Sequence, residues 1–132
     1  MKSENHPEIM LTHFEWSLSR FEEMLQQNKS DYFRDATLQR FGFTFDLAVK
    51  CIRAFATAKN LTCESIRDCF RLAAQEGWLG EERAWGKLID AHHKINPKPG
   101  PTQADELFGQ MDDFYDQFKD LRDRLSRSRQ TS

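Results

Sequence analysis

Apolar side chains in the second quarter of the chain recur at the spacing of an α-helix. Between Asp35 and Phe55 they step by alternating threes and fours, at Leu38, Phe41, Phe45, Ala48, Ile52 and Phe55. This spacing places them on one side of a helix. Phe43, Leu47 and Val49 widen the stripe, so other helices are expected to pack against more than one side of it. The pattern predicts a central helix that the rest of the chain surrounds.

Helical spacing also appears on either side of this central helix. A first helix is predicted over residues 7–27, and Ser30 or Asp31 is expected to cap the central helix, which should end near Lys59. A shorter third helix is predicted over residues 63–76, with Thr62 as its N-cap. These elements account for the first half of the chain.

Glycine and proline mark the boundaries in the second half. Gly77 is expected to end the third helix, and a fourth helix should follow Gly80 and stop near Asn96. The segment 96–101, NPKPGP, breaks the helical pattern because its prolines lack backbone donors. Thr102 is predicted to cap the last helix, whose stripe is Leu107, Met111, Phe114, Phe118, Leu121 and Leu125.

The sequence contains no convincing strand and no internal repeat. Residues 1–132 are therefore predicted to form one all-α domain, with a polar end at 126–132 that frays. The expected architecture is an up-and-down bundle of about five helices, with a four-helix-bundle core and a short third helix.

Composition adds an aromatic excess to this picture. The 132 residues include 11 Phe, 3 Trp and 2 Tyr. Apolar surface beyond what one small bundle buries commonly forms an interface, so a homodimer is expected. The formal net charge of -2 offers no general basic field for nucleic acid.

The cysteines and the N-terminus bear on the compartment. Cys51, Cys63 and Cys69 are odd in number and lack metal-site spacing, which predicts reduced thiols, with Cys51 and Cys69 as small buried residues. No run reaches the length of a membrane span, and residues 1–10 lack the apolar core of a signal peptide. A cytoplasmic protein without membrane contact is expected.

Two groups of residues invite a metal-site interpretation. His92 and His93 are adjacent, so their side chains point about 100° apart on a helix and cannot easily ligate one metal. Glu106 and Asp113 lie beside the apolar stripe of the last helix, without the inward Glu-x-x-His motif of di-iron bundles. Helix-end histidines and a solvated acidic face are the favoured interpretations, with no metal or cofactor.

The segment from Ala36 to Lys50, ATLQRFGFTFDLAVK, resembles the second-helix motif of the nucleotidyltransferase substrate-binding protein family. The resemblance continues through residues 65–73, residues 77–79 and Trp85, and covers most of the chain. It implies a helical bundle of the HEPN superfamily that forms homodimers and works with a separate, small nucleotidyltransferase. Two roles have been attached to such proteins: a non-catalytic subunit that helps the transferase bind nucleotide or substrate, and a ribonuclease toxin that the transferase neutralises.

The ribonuclease role depends on an Arg-x4-6-His motif after the tryptophan of the fourth helix. Counting from Trp85, His92 stands where the family has its arginine, Pro97 where it has its histidine and Pro99 where it has its tyrosine. Proline cannot transfer a proton. A shifted alignment pairs Arg83 with His92 only at a longer spacing. We therefore predict no catalytic residues and a non-enzymatic subunit, with a degenerate ribonuclease toxin that acts on RNA as the alternative.

Cationic residues are the candidates for contact with nucleotide or partner, because they can bind phosphate. They are Arg40, Lys50, His92, His93 and Lys94. The competing interpretation for Arg40 and Lys50 is simple solvation on the polar side of the helix. The sequence departs from the family pattern at Gly42 and Val49, and a glycine inside a helix suggests that close packing requires it.

Overall fold

The computed structural model describes residues 6–131, with side chains through Ser128. This part of the chain is folded into six helices and has no strand, which confirms the all-α bundle. The helices are α1 Pro7–Leu25, α2 Asp31–Ala58, α3 Ile66–Gln75, α4 Glu82–Lys94, α5 Pro101–Phe108 and α6 Met111–Thr131.

Several helix ends confirm the predictions. The Ser30 side chain accepts a hydrogen bond from the Phe33 amide at 3.2 Å and caps α2. Gly77 follows α3 with a φ of +82°, a left-handed conformation that favours glycine. The segment 95–100 interrupts the helices between α4 and α5. Local chemistry therefore sets these boundaries.

The start of α3 was predicted wrongly. Ser65, not Thr62, is the N-cap, and its side chain accepts a hydrogen bond from the Asp68 amide at 3.0 Å. Residues before Ser65 form a loop, in which Cys63 is joined to Cys69 by a disulfide. This pairing contradicts the prediction of reduced thiols at those two positions. It also removes one argument for a cytoplasmic location, because disulfides persist mainly in oxidising compartments.

The last predicted helix is divided in two. Gly100 precedes α5 and Pro101 occupies its first turn, so Thr102 lies inside α5 and does not cap it. Gly109 and Gln110 separate α5 from α6. The division lets α5 pack against α2 while α6 packs against α1. A continuous apolar stripe could not reveal this change of direction.

Aromatic rings from α1, α2 and α6 form the centre of the core. The Phe41 ring lies 6.4 Å from that of Phe21, 5.3 Å from Phe114 and 5.8 Å from Phe118. Beside these rings, the buried hydroxyls of Ser17 and Thr44 are 2.7 Å apart and form a hydrogen bond. The predicted central helix is therefore central in the structure, since α2 contacts each of the other helices.

Gly42 allows another part of the chain to approach α2 closely. A Cβ atom at this position would lie 2.5 Å from Cδ1 of Ile95, in the segment after α4. The close packing predicted at this glycine is therefore present, although the atom that it meets is the end of a flexible side chain. The approach also sets one wall of a cleft.

Candidate functional site

A cleft of about 650 Å³ runs along α2, which forms one wall, while the end of α4 and the segment after it form the other. We call it the α2 cleft. Its lining mixes apolar and aromatic side chains with carboxylates, amides and cations. The residues are Tyr32, Asp35, Ala36, Leu38, Gln39, Gly42, Phe43, Asp46, His92, Ile95, Asn96, Lys98 and Pro99. An apolar cleft with a few convergent polar groups is the usual form of a small-molecule site.

His92 and Asp46 form one polar pair of the cleft. Nε2 of His92 lies 2.9 Å from Oδ1 of Asp46, and the imidazole stacks on the Phe45 ring with centroids 4.2 Å apart. Because His92 is in the last turn of α4, both contacts fasten that end of α4 to α2. The same pair presents a hydrogen-bonding group to the cleft.

Asp35 and Lys98 form the second polar pair, with Nζ of Lys98 3.3 Å from Oδ2 of Asp35. The Arg34 guanidinium donates a hydrogen bond of 3.0 Å to the same carboxylate, and this bond holds the pKa of Asp35 below its usual value. Hydrogen bonds to Asp105 and Asp35 raise the pKa of Arg34. Since Asp35 and Asp46 are eleven residues apart on α2, the two pairs are separated by about 16 Å along the helix axis.

An aromatic surface adjoins the cleft on the side of α1. Trp16, Tyr32 and Phe43 are 56%, 74% and 50% exposed. The Arg40 guanidinium lies between two of them, 5.6 Å from the Trp16 ring and 5.3 Å from the Phe43 ring. Tyr32 and Phe43 line the α2 cleft as well, so the aromatic surface and the cleft are continuous. Exposed Trp, Tyr and Arg together are typical of protein interfaces.

The structure brings together only part of the predicted residue set. His92 lines the α2 cleft and Arg40 belongs to the adjoining aromatic surface. Lys94 lines a different groove, between α4 and the α5–α6 segment. Lys50 and His93 are exposed on α2 and α4 and line neither the α2 cleft nor the groove that Lys94 lines. Simple solvation, the competing interpretation, therefore fits Lys50 and not Arg40.

The candidate set missed most of the cleft. Asp46 lies on α2 outside its apolar stripe, and Tyr32 lies in its first turn. Phe43 was expected to widen the buried stripe, but its ring is 50% exposed at the cleft. The one sequence signal for the cleft was Phe43, a large aromatic residue on a helix whose other apolar residues already formed a complete core stripe. Arg83 and His92, the shifted ribonuclease pair, are nine residues apart on α4, or about 13.5 Å along its axis, and Arg83 does not line the α2 cleft that His92 lines.

Residues 6–131 offer neither a metal site nor a membrane span. No group of three or more His, Cys, Asp or Glu side chains there is arranged to hold a metal ion. No helix in the same range is both long and apolar enough to cross a bilayer.

The fold is a helical bundle with an open cleft along α2, and comparison with known proteins gives the family. Residues 10–127 match the family described as nucleotidyltransferase substrate binding protein like, and the chain belongs to that family. A crystal structure of a protein from Thermus thermophilus is similar, with a TM-score of 0.79 and 25% sequence identity. The similarity covers 85% of this chain and 98% of that one. A search of curated proteins found no match.

Proposed function

We propose that this protein is the non-catalytic, substrate-binding subunit of a two-protein nucleotidyltransferase. The observation that carries the proposal is the family match over residues 10–127. In this proposal the separate transferase supplies the metal ion and the catalysis. The present chain holds the nucleotide or the acceptor for it.

The α2 cleft is the proposed substrate site. Two features support this choice: its volume of about 650 Å³ suits a small molecule, and its two polar pairs stand at separate points along α2. His92 would bind or orient the substrate through its imidazole. Its contacts with Asp46 and Phe45 already hold this side chain in place, so little ordering is needed when substrate binds.

Steady-state kinetics of the transferase partner, measured with and without this chain, test the proposal. We expect His92→Ala to raise the KM of the assembled enzyme several-fold and to leave kcat unchanged, because the chain contributes binding and no chemistry. His93→Ala is the matched control, since His93 is the neighbouring histidine and does not line the α2 cleft. The proposal would be contradicted if both variants gave the same KM, or if adding this chain changed neither the KM nor the kcat of the transferase.

We also propose that two copies of the chain associate through the aromatic surface. Trp16 and Phe43 are large, exposed and pre-arranged around Arg40, as interface residues commonly are. Sedimentation velocity at micromolar concentration should find a dimer, and Trp16→Ala or Phe43→Ala should shift it toward monomer. Phe108→Ala is the control, because Phe108 is a half-buried ring outside this surface that lies near Lys29. A monomeric wild-type protein would refute the association.

A further inference from the structure

The two carboxylates that line the α2 cleft differ in their partners. Asp35 is paired with both Arg34 and Lys98, at 3.0 and 3.3 Å. Asp46 lies farther along α2, and its partner is the His92 imidazole, with Nε2 2.9 Å from Oδ1. No lysine or arginine among the described residues pairs with Asp46. The two ends of the cleft therefore present different chemistry to a ligand.

Asp46 determines which imidazole nitrogen of His92 carries the proton. An ionised carboxylate accepts hydrogen bonds and donates none, so the Nε2 atom beside Oδ1 must be the donor. In a neutral imidazole the other nitrogen, Nδ1, then has no proton and can only accept. A half-turn of the ring would place a carbon atom against Asp46 and lose the hydrogen bond. The pair therefore favours one tautomer, with the proton on Nε2.

Nδ1 of His92 is open to a ligand. It forms no hydrogen bond with any described residue. Within the described part of the chain, the one side-chain polar atom that is buried without a partner is Nε1 of Trp85, so Nδ1 must be reached by solvent. Phe45 covers one face of the ring, and His92 lines the α2 cleft and none of the other cavities described above. The open nitrogen therefore adjoins the α2 cleft.

Asp46 offers a second acceptor beside this nitrogen. Its side chain is 59% exposed, and Oδ1 alone contacts His92. Oδ2 has no hydrogen-bond partner among the described residues. Phosphate and carboxylate groups are themselves acceptors and would be left unpaired against Nδ1 and Oδ2, whereas hydroxyl and ammonium groups can donate to both.

We propose that the His92–Asp46 pair recognises a hydroxyl or ammonium group of a neutral or cationic ligand, with Nδ1 and Oδ2 as the acceptors. Asp46 is a positioning residue for His92 and contacts the ligand through Oδ2. Gly42 and Ile95, each about one turn away along the chain, give the cleft an apolar wall for the hydrocarbon part of that ligand. The inference rests on the α2 cleft as the proposed substrate site. Of the two substrates left open there, it selects the acceptor over the nucleotide, whose phosphates are anionic.

NMR spectroscopy of isotope-labelled imidazole nitrogens, with the chain alone at pH 8, tests the tautomer. His92 should show a protonated Nε2 and an unprotonated Nδ1, and Asp46→Ala should leave the two tautomers in exchange. Asp31→Ala is the matched control, because it removes a carboxylate from the same helix outside the α2 cleft. The control should leave the His92 signals unchanged. A doubly protonated His92, or a proton on Nδ1 alone, would overturn the inference.

Titration of the chain with cyclohexylamine, cyclohexanol and cyclohexanecarboxylate, followed by the same signals, tests the ligand class. These probes share one apolar ring and differ in the charge of a single group. The amine should bind most tightly and the carboxylate most weakly. Asp46→Ala should weaken amine binding about tenfold, the loss expected for one charge-assisted hydrogen bond, and should remove the preference over the carboxylate. Asp46→Glu should restore part of that preference, and Asp31→Ala should leave it intact.

A purely structural role for Asp46 would weaken all three probes equally and would overturn the inference. So would equal binding of the amine and the carboxylate by the unchanged protein, no binding of any probe, or equal losses in Asp46→Ala and Asp31→Ala. The measurements on the unchanged protein decide the matter even if Asp46→Ala does not fold. They also use the chain alone, so they can fail while His92→Ala still raises the KM of the assembled enzyme. In that case the substrate site would stand and the ligand class would be wrong, whereas an unchanged KM would remove the proposed function itself.

Discussion

Replacement of Gly42 by alanine sets helix propensity against packing at one position. Gly42 lies inside α2, where alanine should stabilise the helix by about 1 kcal/mol. The new methyl group, however, would lie 2.5 Å from Cδ1 of Ile95, so that side chain must rotate. Leaving a preferred rotamer costs about 0.5–1.5 kcal/mol. The two effects should nearly cancel, and Gly42→Ala should change the free energy of unfolding by less than about 1 kcal/mol.

A double-mutant cycle isolates the contact. Ile95→Val removes the atom that the methyl group would meet, at a cost of about 0.5–1.5 kcal/mol. In that background Gly42→Ala should give its full stabilisation of about 1 kcal/mol. The coupling between the two substitutions should therefore reach at least about 0.5 kcal/mol. Urea unfolding of the four proteins, followed by circular dichroism, measures each free energy.

Gly86→Ala is the control for this cycle. A Cβ atom at Gly86 meets nothing within 4 Å, so alanine there should stabilise by about 1 kcal/mol in both Ile95 backgrounds. If Gly42→Ala stabilises the otherwise unchanged protein as much as Gly86→Ala does, the close approach of Ile95 to α2 is refuted. The shape assigned to that wall of the α2 cleft would then also be wrong.

Three other outcomes follow from buried or paired groups. Burial raises the pKa of Cys51 to about 12, so iodoacetamide at pH 8 should label no thiol in the native protein. After unfolding without reductant it should label one thiol, that of Cys51. Three labelled thiols would contradict the Cys63–Cys69 disulfide. Arg34→Gln should raise the lowered pKa of Asp35, measured by NMR titration. Because the pKa of Asp35 is lower in the folded than in the unfolded protein, its ion pair with Arg34 stabilises the fold above the unfolded-state pKa, and this stabilisation is lost as the pH falls through the folded-state pKa. An Asp35 titration that is the same in Arg34→Gln and in the unchanged protein would contradict the assignment. Ser17→Ala should cost about 1 kcal/mol in chemical unfolding, since the Thr44 hydroxyl keeps its bond to the Arg40 carbonyl; a loss above about 3 kcal/mol would indicate that Thr44 is left unsatisfied.

The predicted site residues show where sequence reasoning stops. Charge alone selected Arg40, Lys50, His92, His93 and Lys94, but charge does not report which helix face adjoins a neighbour. Of these residues, only His92 and Arg40 lie at the α2 cleft or beside it, and each is packed on an aromatic ring. The partner of His92, Asp46, is 46 residues away in sequence. No local pattern on either helix links the two.

The sequence by itself determined the class of the fold, the central position of α2 and the ends set by Ser30, Gly77 and the proline-rich segment. These features depend on side-chain periodicity and on local backbone chemistry, both of which are written in neighbouring residues. The tertiary structure alone decided the break between α5 and α6, the Cys63–Cys69 disulfide and the α2 cleft. The break and the cleft depend on which helices pack together, whereas the disulfide depends on how the loop before α3 lies against that helix. Gly42 and Gly86 make the difference plain: the same residue in a helix lies against Ile95 in one case and beside open space in the other.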